Sequence, residues 1–440
     1  MSDWGIPPRL DCFAVGCIAN RMRPVDLSPI RDDEQIQRPF DLFLIFAGAN
    51  IVATTLQVGA SLPGSLSGRV ALRLILVGAV AGAALVAVLA PIGTRLRVPS
   101  IVAARAPLGF AGAQTLALLL FVTNFAWIAL NNVIASSICY KLAPIGTAGV
   151  WAVALGLVAT LVVLGGPRVV ALVDRVAVPL LLVSGGVFTV ACLRAPSPVW
   201  PQGPAPITDL FRGLDIVAGY QVSWLLMFAD YPRFVKSARS AGVAVFFGLA
   251  LTAAWFMPLG LVSSALAHSA DPGAMVFALG VGWWGAVLLA LATLTTNFVN
   301  IYMSALALKS LRPETRDAAA VWVIGGVGAA LGLLSNAWIE QFAGLTLLLA
   351  GAFVPIGGIL LAHYFVLGQQ VHVPDLYDAR GPYTARRGWS IAGTAAWAIG
   401  ALVFYLAQSI GSALPSLLAS IVVYVAIAPT LNAARSPMRT

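Results

Sequence analysis

Twelve apolar stretches, each long enough to cross a lipid bilayer as a helix, follow one another along this chain. Their limits are 40–62, 70–94, 112–138, 148–166, 171–193, 210–231, 239–266, 283–308, 318–336, 341–367, 389–408 and 412–432. Hydrocarbon offers the backbone no hydrogen-bonding partner, so such a chain must fold into α-helices that satisfy their own N–H and C=O groups. Charge content agrees: 10% of the 440 residues are charged and 60% hydrophobic, where a soluble domain carries about 25% charged residues. The mean hydropathy is +0.91. The expected fold class is an all-α integral membrane protein with 12 transmembrane helices.

A net charge of +9 points first to a polyanion partner, but the distribution of the charges argues otherwise. Of the 26 Lys and Arg, only Arg69, Arg73, Lys141, Arg194 and Arg212 fall in one set of alternate loops; the other 21 lie in the opposite set and the two tails. That asymmetry places both termini in the cytoplasm and calls for a lipid bilayer, with no nucleic acid as partner. The first thirty residues are polar, with Arg9, Arg21 and Arg23, so no cleaved signal peptide is expected. Cys12, Cys17, Cys139 and Cys192 read as unpaired thiols, and no appended soluble domain or obligate protein partner is evident.

Two of the stretches are interrupted. Phe46-Ala-Gly-Ala-Asn-Ile-Val-Ala-Thr-Thr55 and Gly219-Tyr-Gln-Val-Ser-Trp-Leu-Leu-Met-Phe-Ala-Asp230 each carry Gly and polar residues inside an apolar run. Paired interruptions in two halves of a chain mark a midplane binding site between broken helices. Gly48 and Gly219 are 171 residues apart, and Thr123-Asn-Phe-Ala-Trp-Ile128 is echoed 173 residues later by Thr296-Asn-Phe-Val-Asn-Ile301. These offsets lead to a tail (1–39), a five-helix repeat (40–193), an inverted second repeat (194–370), a two-helix region (371–432) and a tail (433–440). A short echo in an apolar chain also arises by chance.

Enzyme signatures are lacking. His268, His363 and His372 lie at segment ends or in loops, and no metalloprotease, phosphate-loop or calcium-loop motif is present. Asp41, Asp230 and Glu340 sit at segment ends; without a central carboxylate to relay protons, Na⁺ is favoured over H⁺ as the coupling ion. Ala292, Thr295 and Thr296 share one face of a helix, and their oxygens, opposite an unwound Gly48–Ile51, would make a five-oxygen cage for Na⁺. Threonine in an apolar helix also bonds its own i−4 carbonyl, and spacing alone leaves both roles open. Asn124, Trp127 and Asn131 share another face; Gly219, Gln221 and Ser223 sit at the second interruption. An aromatic plane among uncharged amides suits a flat, neutral, hydrogen-bonding heterocycle, although Trp127 at a lipid-facing position would look the same.

These residues resemble the nucleobase:cation symporter-1 family, which includes cytosine permeases and a bacterial hydantoin transporter. The resemblance runs over about residues 40–370, through Phe46-Ala-Gly-Ala-Asn50, Ala104-Arg-Ala-Pro-Leu-Gly109, Ala229-Asp-Tyr-Pro-Arg-Phe234, Thr295-Thr-Asn297 with Tyr302, and Pro355-Ile-Gly-Gly-Ile-Leu-Leu-Ala-His363-Tyr364. His363 departs from the family's usual Asp. The resemblance implies the leucine-transporter-type fold, two inverted five-helix repeats plus two C-terminal helices, and cation-coupled import of a nucleobase-like substrate. It implies stacking by Trp127, substrate contact by Asn124, Gly219, Gln221, Ser223 and, within one residue, Asn300, and Na⁺ ligation by Gly48, Ile51, Ala292, Thr295 and Thr296. Asn124 stands for a glutamine and Gln221 for an aromatic residue, so the expected pocket is more polar than that of a cytosine permease.

Overall fold

The computed structural model describes residues 27–433 apart from 166, 313 and 379, and a helix meets each apolar stretch. Cys12 and Cys17 lie outside the described residues. The first stretch gives α1 (Pro39–Asn50) and α2 (Ala53–Ala60). There follow α3 (Gly68–Leu96), α4 (Arg105–Leu142), α5 (Ala148–Leu164), α6 (Pro167–Arg194), α7 (Ile207–Val222), α8 (Ala238–Ala267) and the short α9 (Pro272–Ala278). The chain continues through α10 (Gly282–Leu311), α11 (Asp317–Leu331), α12 (Phe342–Leu361), α13 (Ile391–Leu406) and α14 (Ala413–Ala433). Among the described residues, six helical segments are long and apolar enough to cross a membrane, and the α1–α2 pair, bent by 59°, makes a seventh. Four others are apolar but run only 10–17 residues over their described parts.

Local chemistry sets several helix starts. Pro39 opens α1, where its missing N–H goes unneeded, and the Asp41 carboxylate accepts from Arg38 N at 3.3 Å. Ser237 caps α8 through Ser240 N, and Asp271 caps α9 through Gly273 N (3.0 Å) and Ala274 N (3.2 Å).

The interruptions lie beyond the glycines that advertised them. The first opens at Ile51 (φ −90°, ψ 70°) and Val52 (φ −143°, ψ 165°), after Gly48 has completed its place in α1. At the second, Gly219 is fully helical, and only after Val222 does the helix tighten into a 3₁₀ turn, Ser223–Met227. Gly219 serves packing: a Cβ there would sit 2.8 Å from Ala350 Cβ and 3.1 Å from the Thr346 carbonyl of α12. A closer approach joins α2 to α8, where a Cβ on Gly59 would meet Met257 O at 1.9 Å and one on Gly260 would meet Leu56 O at 1.8 Å.

Two large buried clusters hold the bundle. One runs through α1, α3, α4, α8 and α12 around Phe46, Leu89 and Phe353; the other surrounds α2, α7, α8 and α10 and includes Ile51, Leu56, Tyr220, Phe256 and Ala292. Across the end of the bundle that carries most Arg and Lys, residues 27–38 form a strap. Tyr377 Oη donates to Leu27 O (2.6 Å), Ile30 N to Arg97 O and Gln37 N to Phe234 O (both 3.0 Å). The buried Gln35 amide donates to Thr94 O and Arg233 O, each at 3.0 Å, and reaches Val235 O at 3.3 Å.

Candidate substrate and ion site

The break after α1 exposes backbone polarity in a buried place, and the surrounding side chains answer it. Thr55 donates its hydroxyl proton to Asn50 O (2.7 Å), so the Tyr220 hydroxyl, 2.8 Å away, donates to Thr55 and has its lone pairs left for Thr54 at 3.1 Å. Asn50 Nδ2 bonds Thr252 Oγ1 (2.9 Å) and Leu249 O (3.2 Å) on α8. The broken helix is thereby tied to α7 and α8 by a continuous polar network.

Tyr220 also places its ring against the indole of Trp127, with centroids 5.8 Å apart and planes at 79°. Phe342, at the start of α12, completes the group at 6.3 Å from Trp127 and 6.5 Å from Tyr220. On the Trp127 face of α4, Asn124 Nδ2 and Asn131 Oδ1 are buried without a hydrogen-bond partner among the described residues. An unpaired buried amide atom costs about 1–3 kcal/mol, which a polar ligand would recover. Asn300, half-buried on α10, turns its Nδ2 toward Asn297 Oδ1 at 3.5 Å. A cavity of about 480 Å³, lined by Ser61, Ser136, Lys141, Asp271, Glu340 and Ala343, opens at the end of the bundle away from the basic loops. Lys141 and Asp271 pair across it at 2.7 Å.

The second interruption contributes differently from expectation. Gln221 is fully buried and directs its Nε2 to Leu249 O of α8 (3.2 Å), while its Oε1 has no partner among the described residues. Ser223 bonds back to Tyr220 O at 2.7 Å. The aromatic neighbour of Trp127 on this helix is therefore Tyr220, one residue before Gln221.

For the ion, the structure brings α2 against α10 and places Ile51 and Ala292 in one buried cluster. Gly48 O accepts from Ile51 N at 3.3 Å. Thr295 and Thr296 donate to Ala292 O at 2.9 and 3.2 Å, the backbone bond that threonine in a helix commonly makes. Each hydroxyl keeps its lone pairs, and a neutral set of carbonyl and hydroxyl oxygens suits a hard monovalent cation. Among the described residues no group of three or more His, Cys, Asp or Glu exists to hold another metal.

Three residues carry structural roles that gave no signal in the sequence. Tyr220 and Phe342 looked like ordinary apolar-segment aromatics. Asp215 lies inside the sixth apolar stretch, where it is buried and accepts from Ser412 N (2.6 Å) and Ala413 N (3.0 Å), capping α14 from a distance. Asn297 was visible as the counterpart of Asn124 in the 173-residue echo and as the last residue of Thr295-Thr-Asn297, with no role attached to it.

A bundle of apolar helices, one broken beside an aromatic group and unpaired buried amides, defines a membrane transporter. Residues 29–424 match the family described as permeases for cytosine/purines, uracil, thiamine and allantoin. The chain belongs to this family, the nucleobase:cation symporter-1 transporters, and is a permease, not an enzyme. Over 337 residues it is 24% identical to the cytosine permease of Escherichia coli (strain K12), covering 74% of this chain and 77% of that one. It is also 24% identical over 380 residues to YxlA of Bacillus subtilis, which carries a provisional purine-cytosine permease name; the coverage is 80% and 82%. Among solved structures, Mhp1, a nucleobase-cation-symport-1 transporter, in its inward-facing conformation superposes with a TM-score of 0.79 at 20% identity, covering 94% of each chain.

Proposed function

We propose that this permease imports a nucleobase or nucleobase-like heterocycle across the cytoplasmic membrane by alternating access, coupled to Na⁺. The observation that carries the reading is the Trp127–Tyr220–Phe342 group beside the unpaired amide atoms of Asn124 and Asn131. A flat ring lying on Trp127 would bury its faces among aromatics and its edges against amides. Asn300, Gly219, Gln221 and Ser223 complete the proposed pocket, the last three by shaping the helix around Tyr220. Gly48, Ile51, Ala292, Thr295 and Thr296 are the proposed Na⁺ ligands. Ion binding would join the broken helix to α10 and raise substrate affinity through a coupling of about 1–3 kcal/mol.

The proposed topology has twelve spans, both termini in the cytoplasm, and two inverted five-helix repeats over 40–193 and 194–370, followed by two helices in 371–432. Its support is the loop charge asymmetry and the paired irregularities, since Asn50 and Val222, where α1 and α7 end, are 172 residues apart.

Uptake of radiolabelled uracil, cytosine and hydantoin into proteoliposomes, with and without an inward Na⁺ gradient, tests the proposal. Saturable uptake driven by Na⁺ is expected; uptake driven by a pH gradient alone would replace Na⁺ with H⁺, and uptake of none of the probes would remove the substrate reading. The proton alternative has its own observation: buried His363 bonds Tyr424 Oη through Nδ1 (2.8 Å) and has no partner for Nε2 among the described residues.

A further inference from the structure

Asn297 is fully buried between α4 and α10, at the centre of four amides. The direction of its bonds follows from one anchor. Ile128 O, 3.2 Å away, can only accept, so the nearby atom of Asn297 is Nδ2, which also reaches Asn132 Oδ1 at 2.8 Å. Asn297 Oδ1 then faces Asn131 at 3.2 Å and accepts from its Nδ2. Turning either amide over would set N–H against N–H or oxygen against oxygen. Asn131 is thereby held with Oδ1 turned from Asn297, and that oxygen, like Asn132 Nδ2, is buried and unpartnered among the described residues. Asn131 lies one helical turn beyond Trp127, on the same face of α4.

We infer that Asn297 is a positioning residue for substrate selection: by consuming the Asn131 amino group it makes Asn131 an obligate acceptor. The substrate must then present an N–H, from a lactam, an imide or an exocyclic amine, to α4 one turn from the Trp127 ring. This rests on the proposed pocket, and it narrows the substrate from flat heterocycles in general to those with a proton-bearing nitrogen at that edge. An analogue alkylated there would leave Asn131 Oδ1 unpaired and clash with it.

The test is equilibrium binding of uracil and hydantoin, each beside its 1-methyl and 3-methyl analogues, to the purified full chain. The unmodified protein is expected to bind one parent compound at least about tenfold tighter than one of its methyl isomers, the penalty of an unmet buried acceptor. Asn297→Leu, which removes the oxygen that accepts from Asn131 and so lets that amide turn over, should bring that ratio close to one. Asn132→Leu disturbs the same cluster but leaves the Ile128 anchor, and should preserve the ratio. Should Asn297→Leu fail to fold, Asn131→Leu removes the acceptor directly and should abolish the discrimination. Equal weakening of parent and methylated ligands in Asn297→Leu, an unchanged ratio there, or no discrimination in the unmodified protein overturns the inference. If the unmodified protein binds none of the probes, the substrate reading itself fails, together with the inference.

Discussion

Thr295 and Thr296 each offer one oxygen to the proposed cage, and each already spends its proton on Ala292 O. Thr295→Ala and Thr296→Ala should therefore raise the Na⁺ concentration for half-maximal substrate binding while altering affinity at saturating Na⁺ much less, because the ion's help is lost only where its site is unfilled. A Na⁺ titration of equilibrium substrate binding at fixed pH and ionic strength measures this; binding indifferent to Na⁺ in the unmodified protein would end the sodium assignment. Trp127→Ala removes a stacking plane worth roughly 1–3 kcal/mol, so affinity should fall about ten- to a hundredfold. Unchanged affinity in that variant, read by the same binding assay, would return Trp127 to a packing role.

At the scale of elements, the contact of α2 with α8 is the tightest backbone approach described above. Gly260→Ala would drive a methyl into Leu56 O, and overpacking of this kind costs about 1–3 kcal/mol. A lowered melting temperature in detergent is expected, and Gly326→Ala, which meets nothing within 4 Å, should leave it unchanged. The helices were legible because a long apolar run in a chain with few charges has little else to become. The breaks were legible only approximately, since glycine in an apolar helix serves close packing as well as unwinding, and Gly219 does the former. Tyr220 went unread because its partners Thr54 and Thr55 lie 166 and 165 residues earlier, and Asp215 because it caps a helix 197 residues later. Trp127, Asn124 and Asn131 could be read from their spacing along one face; the turning of Gln221 toward α8 could not, because it depends on how a third helix packs.

Across the whole molecule, the strap of residues 27–38 gathers the ends of α3, the segment after α7 and the loop after α12. Gln35 is its firmest point, with one amide group serving three carbonyls. Gln35→Leu should cost about 1–3 kcal/mol by leaving Thr94 O, Arg233 O and Val235 O without that donor. Hydrogen exchange should accelerate around residues 94–97 and 233–237 while the centres of α4 and α10 stay protected; uniform acceleration would mean that the strap supports the entire bundle. Leu27 also packs beside Met227 and Met303, across the seam between the turn after α7 and α10. Its bond to Tyr377 spans 350 residues, which bears on the order of assembly. The strap precedes the described helices on the ribosome, yet its bond to Tyr377 is made only after ten of the apolar stretches have been translated. The Leu27 end of a segment made before the described helices must therefore wait for one of the later loops before it is tied down.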